Sequence, residues 1–507
     1  MLATVTSLGL QGLYCYRVTV EADLVEDGHG FEIVGLPGAA VKESRERVRA
    51  SLRNGDLSYP DGRITVNLAP ADTAKDSPIY DLPVLLALLR AGNLLPEQPQ
   101  EYAFIGELSM SGELRPAKGV LPMARACAGL GISRLYVPQV NAAEAALAGD
   151  VEVVGVSNVQ ELLELLNGHR PTVPLQGEWA PFEPDMEGLP DFSEVRGQEQ
   201  AKRALEIAAA GGHNVIMVGP PGAGKSMLAK RLPSILPPMT REETLEASEL
   251  HSVAGLLTDG KLLTSRPFRA PHHTISNVGL AGGGTRARPG ELSLAHCGVL
   301  FLDELPEFSR SALEVLRQPL EDGVITISRA SGSVTYPSRC MMVAALNPCP
   351  CGQFGVEGGR CFCSQADIAR YLRRISGPLL DRIDLQVEVA PLSFDEISTP
   401  PAESSAAIRE RVCAARERQV ERFRGTGIAS NSAMGHRQVA EYCVLSPEAK
   451  EFLGGAYSAM RLSARSYDRL CKVARTIADL AGADVIAPEH LAEAVQYRAL
   501  DRKYWKR

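Results

Sequence analysis

Eight consecutive residues, Gly219-Pro220-Pro221-Gly222-Ala223-Gly224-Lys225-Ser226, have the types and spacing that hold a nucleoside triphosphate. They fit G-x-x-x-x-G-K-[ST]: glycines let successive backbone N–H groups wrap a phosphate, the lysine reaches the β and γ oxygens, and the serine hydroxyl ligates Mg²⁺. Downstream, Gly298-Val-Leu-Phe-Leu-Asp303-Glu304 is an apolar run ending in two acids, the pattern of a buried strand delivering carboxylates at its C-terminal edge. Asp303 is expected to hold the Mg²⁺ through water, and Glu304 to orient and deprotonate the attacking water. Another strand, Cys340–Leu346, ends at Asn347, which either positions water or γ-phosphate beside Glu304 or turns the chain before Pro348. In Gly377-Pro-Leu-Leu-Asp-Arg382-Ile-Asp, Arg382 has the chemistry to stabilise a phosphate transferring on an adjacent subunit, and equally to close an ion pair within its own. ATP hydrolysis is the reaction these groups imply.

The elements around them fit that task. Asn214–Val218 reads as a buried strand entering the loop, a helix begins at Lys225, and Gln198–Ala210 is helical. With 507 residues, the chain is long enough for about three domains at ~100–200 residues each. Residues 1–168 mix strands (Arg17–Ala22, Phe31–Val34, Arg63–Leu68) with a helix at Ala40–Arg53, an α+β unit. Over 169–190, Pro171, Pro174, Pro181, Pro184 and Pro190 accumulate, which is linker chemistry because proline breaks helix and ladder hydrogen bonding alike. An α/β nucleotide-binding core follows over 191–395, and 396–507 alternates helices at Ser404–Arg424, Tyr467–Ala481 and Pro488–Leu500, a helical lid.

Apolar residues make up 45% and charged residues 22%, so disorder and fibrous classes are excluded. Met1–Leu10 has no basic stretch followed by an apolar one, and the most apolar run, Leu82–Leu89, stops at Arg90. The expected compartment is the cytoplasm, with no membrane partner. Lys and Arg number 53 against 61 Asp and Glu, a net charge of −8 that argues against a broad basic coat. Two windows nevertheless lack any acid. Within an insertion near 241–290, Lys261–Gly290 carries Lys261, Arg266, Arg269, Arg286 and Arg288 with His272 and His273, the histidines expected in a structural or DNA-adjacent role. Val324–Tyr336 reads as a hairpin with Arg329 near its tip. Arg329, Arg266 and Arg269 are therefore the candidate DNA contacts, suited to tracking phosphates without reading sequence; for Arg329 an ion pair across a subunit interface is the other reading. Of 11 cysteines, four fall in the loop 349–363, where Cys349, Cys351, Cys361 and Cys363 supply enough thiolates for a tetrahedral, structural Zn²⁺.

The order of strand, phosphate loop, Asp-Glu strand, Asn-ending strand and lid resembles the AAA+ ATPases. Longer runs, Gly197-Gln198, Lys202-Arg-Ala-Leu-Glu-Ile-Ala-Ala-Ala-Gly-Gly-His213-Asn, Arg266-Pro-Phe-Arg-Ala-Pro-His272-His273, Pro289-Gly-Glu-Leu-Ser-Leu-Ala-His296 and Arg475-Thr-Ile-Ala-Asp-Leu480, resemble the magnesium-chelatase-like YifB/ComM family over essentially the whole chain. The resemblance implies an AAA+ P-loop αβα core with pore insertions and a C-terminal helical lid. It also implies a homo-hexameric ring with ATP and Mg²⁺ at subunit interfaces, and Arg382 as a trans-acting finger. Arg465 of Ser463-Ala-Arg-Ser, or else Arg469, would be the lid arginine sensing the γ-phosphate. Family members resemble branch-migration helicases that help integrate incoming strands during natural transformation. An ATP-dependent DNA motor working on single-stranded or branched DNA beside recombination proteins is thus the implied activity. The motor subunit of a metal chelatase and a chaperone-like remodelling ring are the alternatives.

The N-terminal third resembles the proteolytic domain of Lon-type proteases, through Pro70-Ala-Asp-Thr-Ala-Lys75-Asp-Ser-Pro-Ile79-Tyr-Asp-Leu-Pro83 and Gly106-Glu-Leu-Ser-Met-Ser-Gly-Glu-Leu-Arg-Pro-Ala-Lys-Gly-Val-Leu121. In simple register the nucleophilic serine falls on Ile79 and its lysine partner on Leu121, and neither side chain can attack a carbonyl or take a proton. A dyad shifted to Ser77 and Lys118 is the other arrangement. A scaffold without peptidase activity is expected; peptide hydrolysis abolished by Ser77→Ala would overturn this.

Overall fold

Parallel strands buried on both faces read as near-continuous apolar runs; three runs of this chain do so throughout, and a fourth carries one buried amide, Gln386, whose Nε2 donates to Asp501 Oδ1 at 2.6 Å. In the computed structural model, Val215–Val218, Val299–Leu302 and Met341–Leu346 are buried at every position and Leu385–Glu388 at all but the last. With the short edge strand Phe268–Arg269 they form a five-stranded, all-parallel sheet. Its order is Phe268–Arg269, Val299–Leu302, Met341–Leu346, Val215–Val218, Leu385–Glu388. The first strand in sequence lies between the fourth and fifth, so connections diverge beside it and open a crevice at the C-terminal strand ends. Side chains alternate between two cores: Val215, Met217, Val299 and Phe301 face one, and Ile216, Val218, Leu300 and Leu302 the other.

The structure describes residues 1–175, 188–257, 260–284, 287–329, 332–356, 358–392, 402–460 and 463–505. Pro181 and Pro184 of the expected linker, Arg286, and the hairpin tip at Ala330-Ser331 lie outside them.

The first of the two cores continues into the helical C-terminal region. Ile408 and Val412 of helix Ser405–Arg422, Val473 and Ile477 of Ala464–Leu480, and Leu491 of Pro488–Gln496 share a cluster with Ala204 and Ala208 of helix Glu199–Gly211. The junction is pinned by His213, fully buried, whose Nδ1 lies 3.1 Å from Asp384 Oδ2 and Nε2 2.8 Å from Thr476 Oγ1. Next to it, Asn214 donates to the Arg382 carbonyl at 2.9 Å and accepts from Met342 N–H at 2.8 Å, tying two strand ends together.

Upstream, Leu2–Gln11 and Tyr14–Val25 form an antiparallel hairpin, turning through Gly12 at φ 65°. They sit inside a seven-stranded sheet ordered Gly30–Val34, Arg63–Ala69, Tyr14–Val25, Leu2–Gln11, Tyr102–Phe104, Arg134–Pro138, Glu152–Val156. Val18, Val20, Ile64 and Val66 share a core with helix Asp81–Ala91, which is buried along nearly its whole length. That explains the apolar run at Leu82–Leu89 as core. Among the described residues no helix is long and apolar enough to cross a membrane. The helix expected at Ala40–Arg53 is two, Ala39–Lys42 and Ser44–Asn54, broken at Glu43 where Ser44 turns its hydroxyl onto the buried Asp81. Ile79 and Leu121 are both core residues, 3% and 0% exposed.

One helix joins the two sheets. Arg241–Ala254, started by a capping box between Thr240 and Glu243, sends Leu245 into the N-terminal core, and Leu262 follows it. Gly119 N–H donates to the Ser252 carbonyl at 3.2 Å, and Arg125 pairs with Glu249 at 3.3 Å. Lys118 lies against Gly255 at the end of this helix, turned to the ATPase side.

Candidate nucleotide site and nucleic-acid interface

The phosphate loop closes the crevice from below. Gly222 and Gly224 adopt φ of 78° and 91°, backbone that favours glycine, and helix Lys225–Arg231 starts directly after them. Lys225 is buried and its Nζ donates to the carbonyls of Gly219 at 2.7 Å and Pro220 at 2.8 Å, and to Asn347 Oδ1 at 3.2 Å. Burial lowers its pKa below the ordinary lysine value, and the nearby Asp303 and Glu304 pull the other way. The Ser226 hydroxyl donates to Asp303 Oδ2 at 2.5 Å. This hydroxyl and carboxylate form the oxygen donor set a small hard cation takes, so the residues fit Mg²⁺. The structure thus brings Lys225, Ser226, Asp303 and Asn347 together.

Glu304 stands beside them. Its backbone is left-handed, φ 51°, a conformation costing a non-glycine residue on the order of 1–3 kcal/mol and concentrated at functional sites. The carboxylate points to His273, with Nδ1 3.3 Å from Oε2.

Arg382 and Arg465 are elsewhere. Both line a cleft of about 720 Å³ that also touches Asn214, Gly298, Met341 and Asp384, the N-terminal strand ends, opposite the phosphate loop. Arg382 donates to the carbonyls of Arg317 at 3.1 Å and Pro378 at 2.6 Å and pairs with Glu321. Arg465 is exposed, whereas Arg469 is tucked toward Asp384 at 3.6 Å. Burial lowers the pKa of both Arg469 and Lys472 in this cleft, with Asp384 opposing it. An anion entering would relieve that crowding of positive charge.

The three expected DNA contacts separate. Arg266 is committed inward: it donates to the carbonyls of Pro237 at 2.6 Å, Pro238 at 3.1 Å and Cys297 at 2.6 Å, and pairs with Glu243 at 2.9 Å. Arg269 grips Glu291 through two bonds, 2.6 and 2.7 Å. Both guanidinium groups bind the fold to itself. Arg329 alone of the three is exposed, on the hairpin of Val324–Arg329 and Gly332–Pro337. A second ribbon, Gly282–Gly283 with Arg288–Pro289, packs beneath it, and Tyr336 donates its hydroxyl to the Ala287 carbonyl at 2.8 Å. The Arg329 guanidinium lies over Gly283, and Arg288 on the same ribbon is exposed, so two insertions converge on one cationic tip.

In the cysteine loop, Cys349 Sγ lies 3.4 Å from Cys351 Sγ and 3.8 Å from Cys361 Sγ, with Cys351 and Cys361 3.7 Å apart. Cys363 completes a group whose sulfurs all lie within 4.8 Å of one another. Sulfurs bound tetrahedrally at about 2.3 Å from zinc stand about 3.8 Å apart, so the residues fit Zn²⁺. The loop is seated on the phosphate loop: a Cβ on Gly352 would stand 2.4 Å from Cδ of Pro221.

A phosphate loop in a parallel α/β sheet, coupled to a helical C-terminal region, defines a magnesium-chelatase-like AAA+ fold. Family models agree along the chain: "Subunit ChlI of Mg-chelatase" matches residues 20–141, "Magnesium chelatase, subunit ChlI" 191–397, and "Magnesium chelatase, subunit ChlI C-terminal" 402–498. The chain is 42% identical over 506 residues to the protein YifB of Salmonella typhimurium, covering 99% of this chain and 98% of that one. It is also 42% identical over 507 residues to the competence protein ComM of Haemophilus influenzae, with the same coverage. To the magnesium-chelatase 67 kDa subunit of Chlorobaculum parvum it is 29% identical over 161 residues, 31% of this chain and 23% of that protein. The chain belongs to the YifB/ComM family of magnesium-chelatase-like proteins.

Proposed function

We propose that this protein is an ATP-hydrolysing motor that works as a hexameric ring on branched or single-stranded DNA, a branch-migration helicase serving recombination of incoming strands. One observation carries the reading: the cationic tip is wired to the nucleotide site through both insertions. The ribbon ending at Pro289 leads into the strand that presents Asp303 and Glu304, and the hairpin ending at Pro337 leads into the strand that presents Asn347. A shift of these strand ends on hydrolysis moves Arg329 and Arg288, and a load on the arginines is felt at the site. The Haemophilus relative's name as a competence protein supports the DNA setting.

Within this reading Lys225 and the loop amides hold the triphosphate, Glu304 takes the proton of the attacking water, and Asn347 orients it. Bound Mg²⁺, held by Ser226 and Asp303, supplies charge neutralisation on the phosphates. Arg382 and Arg465, sharing a cleft remote from their own phosphate loop, serve the nucleotide of a neighbouring subunit. Zn²⁺ on the four cysteines staples the loop behind Pro221. The N-terminal region acts as a scaffold without peptidase activity, since Ile79 and Leu121 occupy the positions of the dyad. A chelatase motor subunit is the second reading, favoured by the family models; it predicts indifference to DNA.

The test is strand exchange on a synthetic four-way or forked DNA. ATP-dependent product formation by the wild type is expected, and its absence under conditions where ATP is hydrolysed overturns the DNA reading in favour of the second.

A further inference from the structure

The N-terminal sheet reaches the cationic tip through its first hairpin. The turn of that hairpin, Gly12-Leu13, sits on the one that carries Arg329: a Cβ on Gly12 would stand 2.3 Å from Val334 Cγ1, so only a glycine lets the turn approach this closely. Leu13 packs into the same core as Val334 and Tyr336. Gln11 extends to the end of the Arg329 hairpin, with Nε2 3.1 Å from the place a Cβ on Gly332 would take. Gly332 pairs directly with Arg329. The N-terminal hairpin is also held just before its turn, where Leu10 Cδ2 lies 2.7 Å from the position of a Cβ on Gly119, whose N–H donates to the Ser252 carbonyl.

Tyr14 follows the turn. It is the cross-strand partner of Gln11, and residues directly opposite in an antiparallel pair share a face, so both side chains project on the same side. Their surroundings differ: Gln11 is half-buried against the Arg329 hairpin, whereas Tyr14 is 70% exposed. Between Tyr14 and Arg329 stand two cross-strand pairs of about 5 Å each and one glutamine side chain. From Gly323 to Val356 the sequence holds no acid to offset the charge there. A flat aromatic face left in water, firmly mounted beside exposed guanidinium groups, matches the way proteins hold a single strand: cations follow the phosphates and rings take the bases. A duplex, whose bases already stack on one another, offers no free base to such a ring.

We infer that Tyr14 is a stacking platform by which the N-terminal region grips an unpaired base of the strand whose phosphates meet Arg329 and Arg288. The N-terminal region then forms part of the DNA track besides acting as a scaffold, and its grip selects single-stranded over paired DNA. Because the turn is seated on the Arg329 hairpin, a movement of the tip carries the ring with it, and base and phosphate advance together. This rests on the proposed action on DNA.

The experiment measures binding of the full chain to a fluorescein-labelled oligothymidylate and to an abasic strand of the same length, by fluorescence anisotropy with a non-hydrolysable ATP analogue present. Wild type, Tyr14→Ala and Tyr14→Phe are compared, and thermal melting checks the fold of each. The platform predicts that wild type prefers the strand that has bases. Tyr14→Ala should weaken oligothymidylate binding by about tenfold while the abasic strand is bound as before, and Tyr14→Phe, which keeps the ring, should stay near wild type. Equal weakening on both strands, no weakening on either, or a Tyr14→Phe variant that falls with Tyr14→Ala overturns the platform while leaving DNA binding by Arg329 in place. A wild type that binds neither strand removes the DNA reading and the platform together.

Discussion

The Ser226 hydroxyl donates to Asp303 Oδ2 across 2.5 Å, although 77 positions separate them in the chain. They meet because their strands flank Met341–Leu346 in the parallel sheet and end at the same edge. Lys225 completes the group through Asn347. Removing the lysine and removing the base should therefore fail differently. Lys225→Ala deletes the cation that reaches the phosphates, so nucleotide binding and turnover are both lost. Glu304→Gln keeps the pocket and removes only the proton acceptor, so turnover falls by about a hundredfold or more while nucleotide is retained. Fluorescent-nucleotide binding beside an ATPase assay separates the two outcomes.

The cysteine loop should bind one zinc per chain and brace the phosphate loop. Elemental analysis is expected to find the metal, and Cys361→Ser or chelation should lower the melting temperature. Gly352→Val forces a Cβ to within 2.4 Å of Pro221 at φ 76°, so it should cost about 1–3 kcal/mol and raise KM for ATP. Protein with no zinc, in which chelation frees no thiols, contradicts the staple.

Arg382 and Arg465 lie on the cleft opposite the phosphate loop, so their substitution should damage a neighbour's site. Arg382→Ala and Lys225→Ala are each expected to be inactive alone. Mixed together, subunits with an intact phosphate loop meet subunits with an intact finger, and part of the ATPase activity should return. No recovery on mixing, in rings shown to contain both subunits, places the arginine's action within its own chain.

The phosphate loop, Asp303 and the apolar strands were legible because each is a local pattern with one physical solution. Arg266 and Arg269 were not. Lys261–Gly290 contains no acid, but Glu291, the next residue, and Glu243, on the preceding helix, take both guanidinium groups. A stretch of sequence shows charge, whereas partners come from the fold. The pairing of His273 with Glu304 was equally hidden, since it needs a parallel edge strand and a left-handed turn at Glu304. Arg382 and Arg465 were recognisable by type, but only the sheet shows that they share one cleft. For His213 and Asn214 the fold supplied the purpose, binding lid to core and strand end to strand end.

The central claim is that hydrolysis at Glu304 is coupled to DNA held by the tip that carries Arg329. The most direct measurement is ATPase rate with and without four-way DNA for wild type and Arg329→Ala. The wild type should be stimulated, and Arg329→Ala should keep its DNA-free rate while losing most of the stimulation. A wild type whose turnover is the same with and without DNA, or an Arg329→Ala variant stimulated as strongly as wild type, contradicts the account.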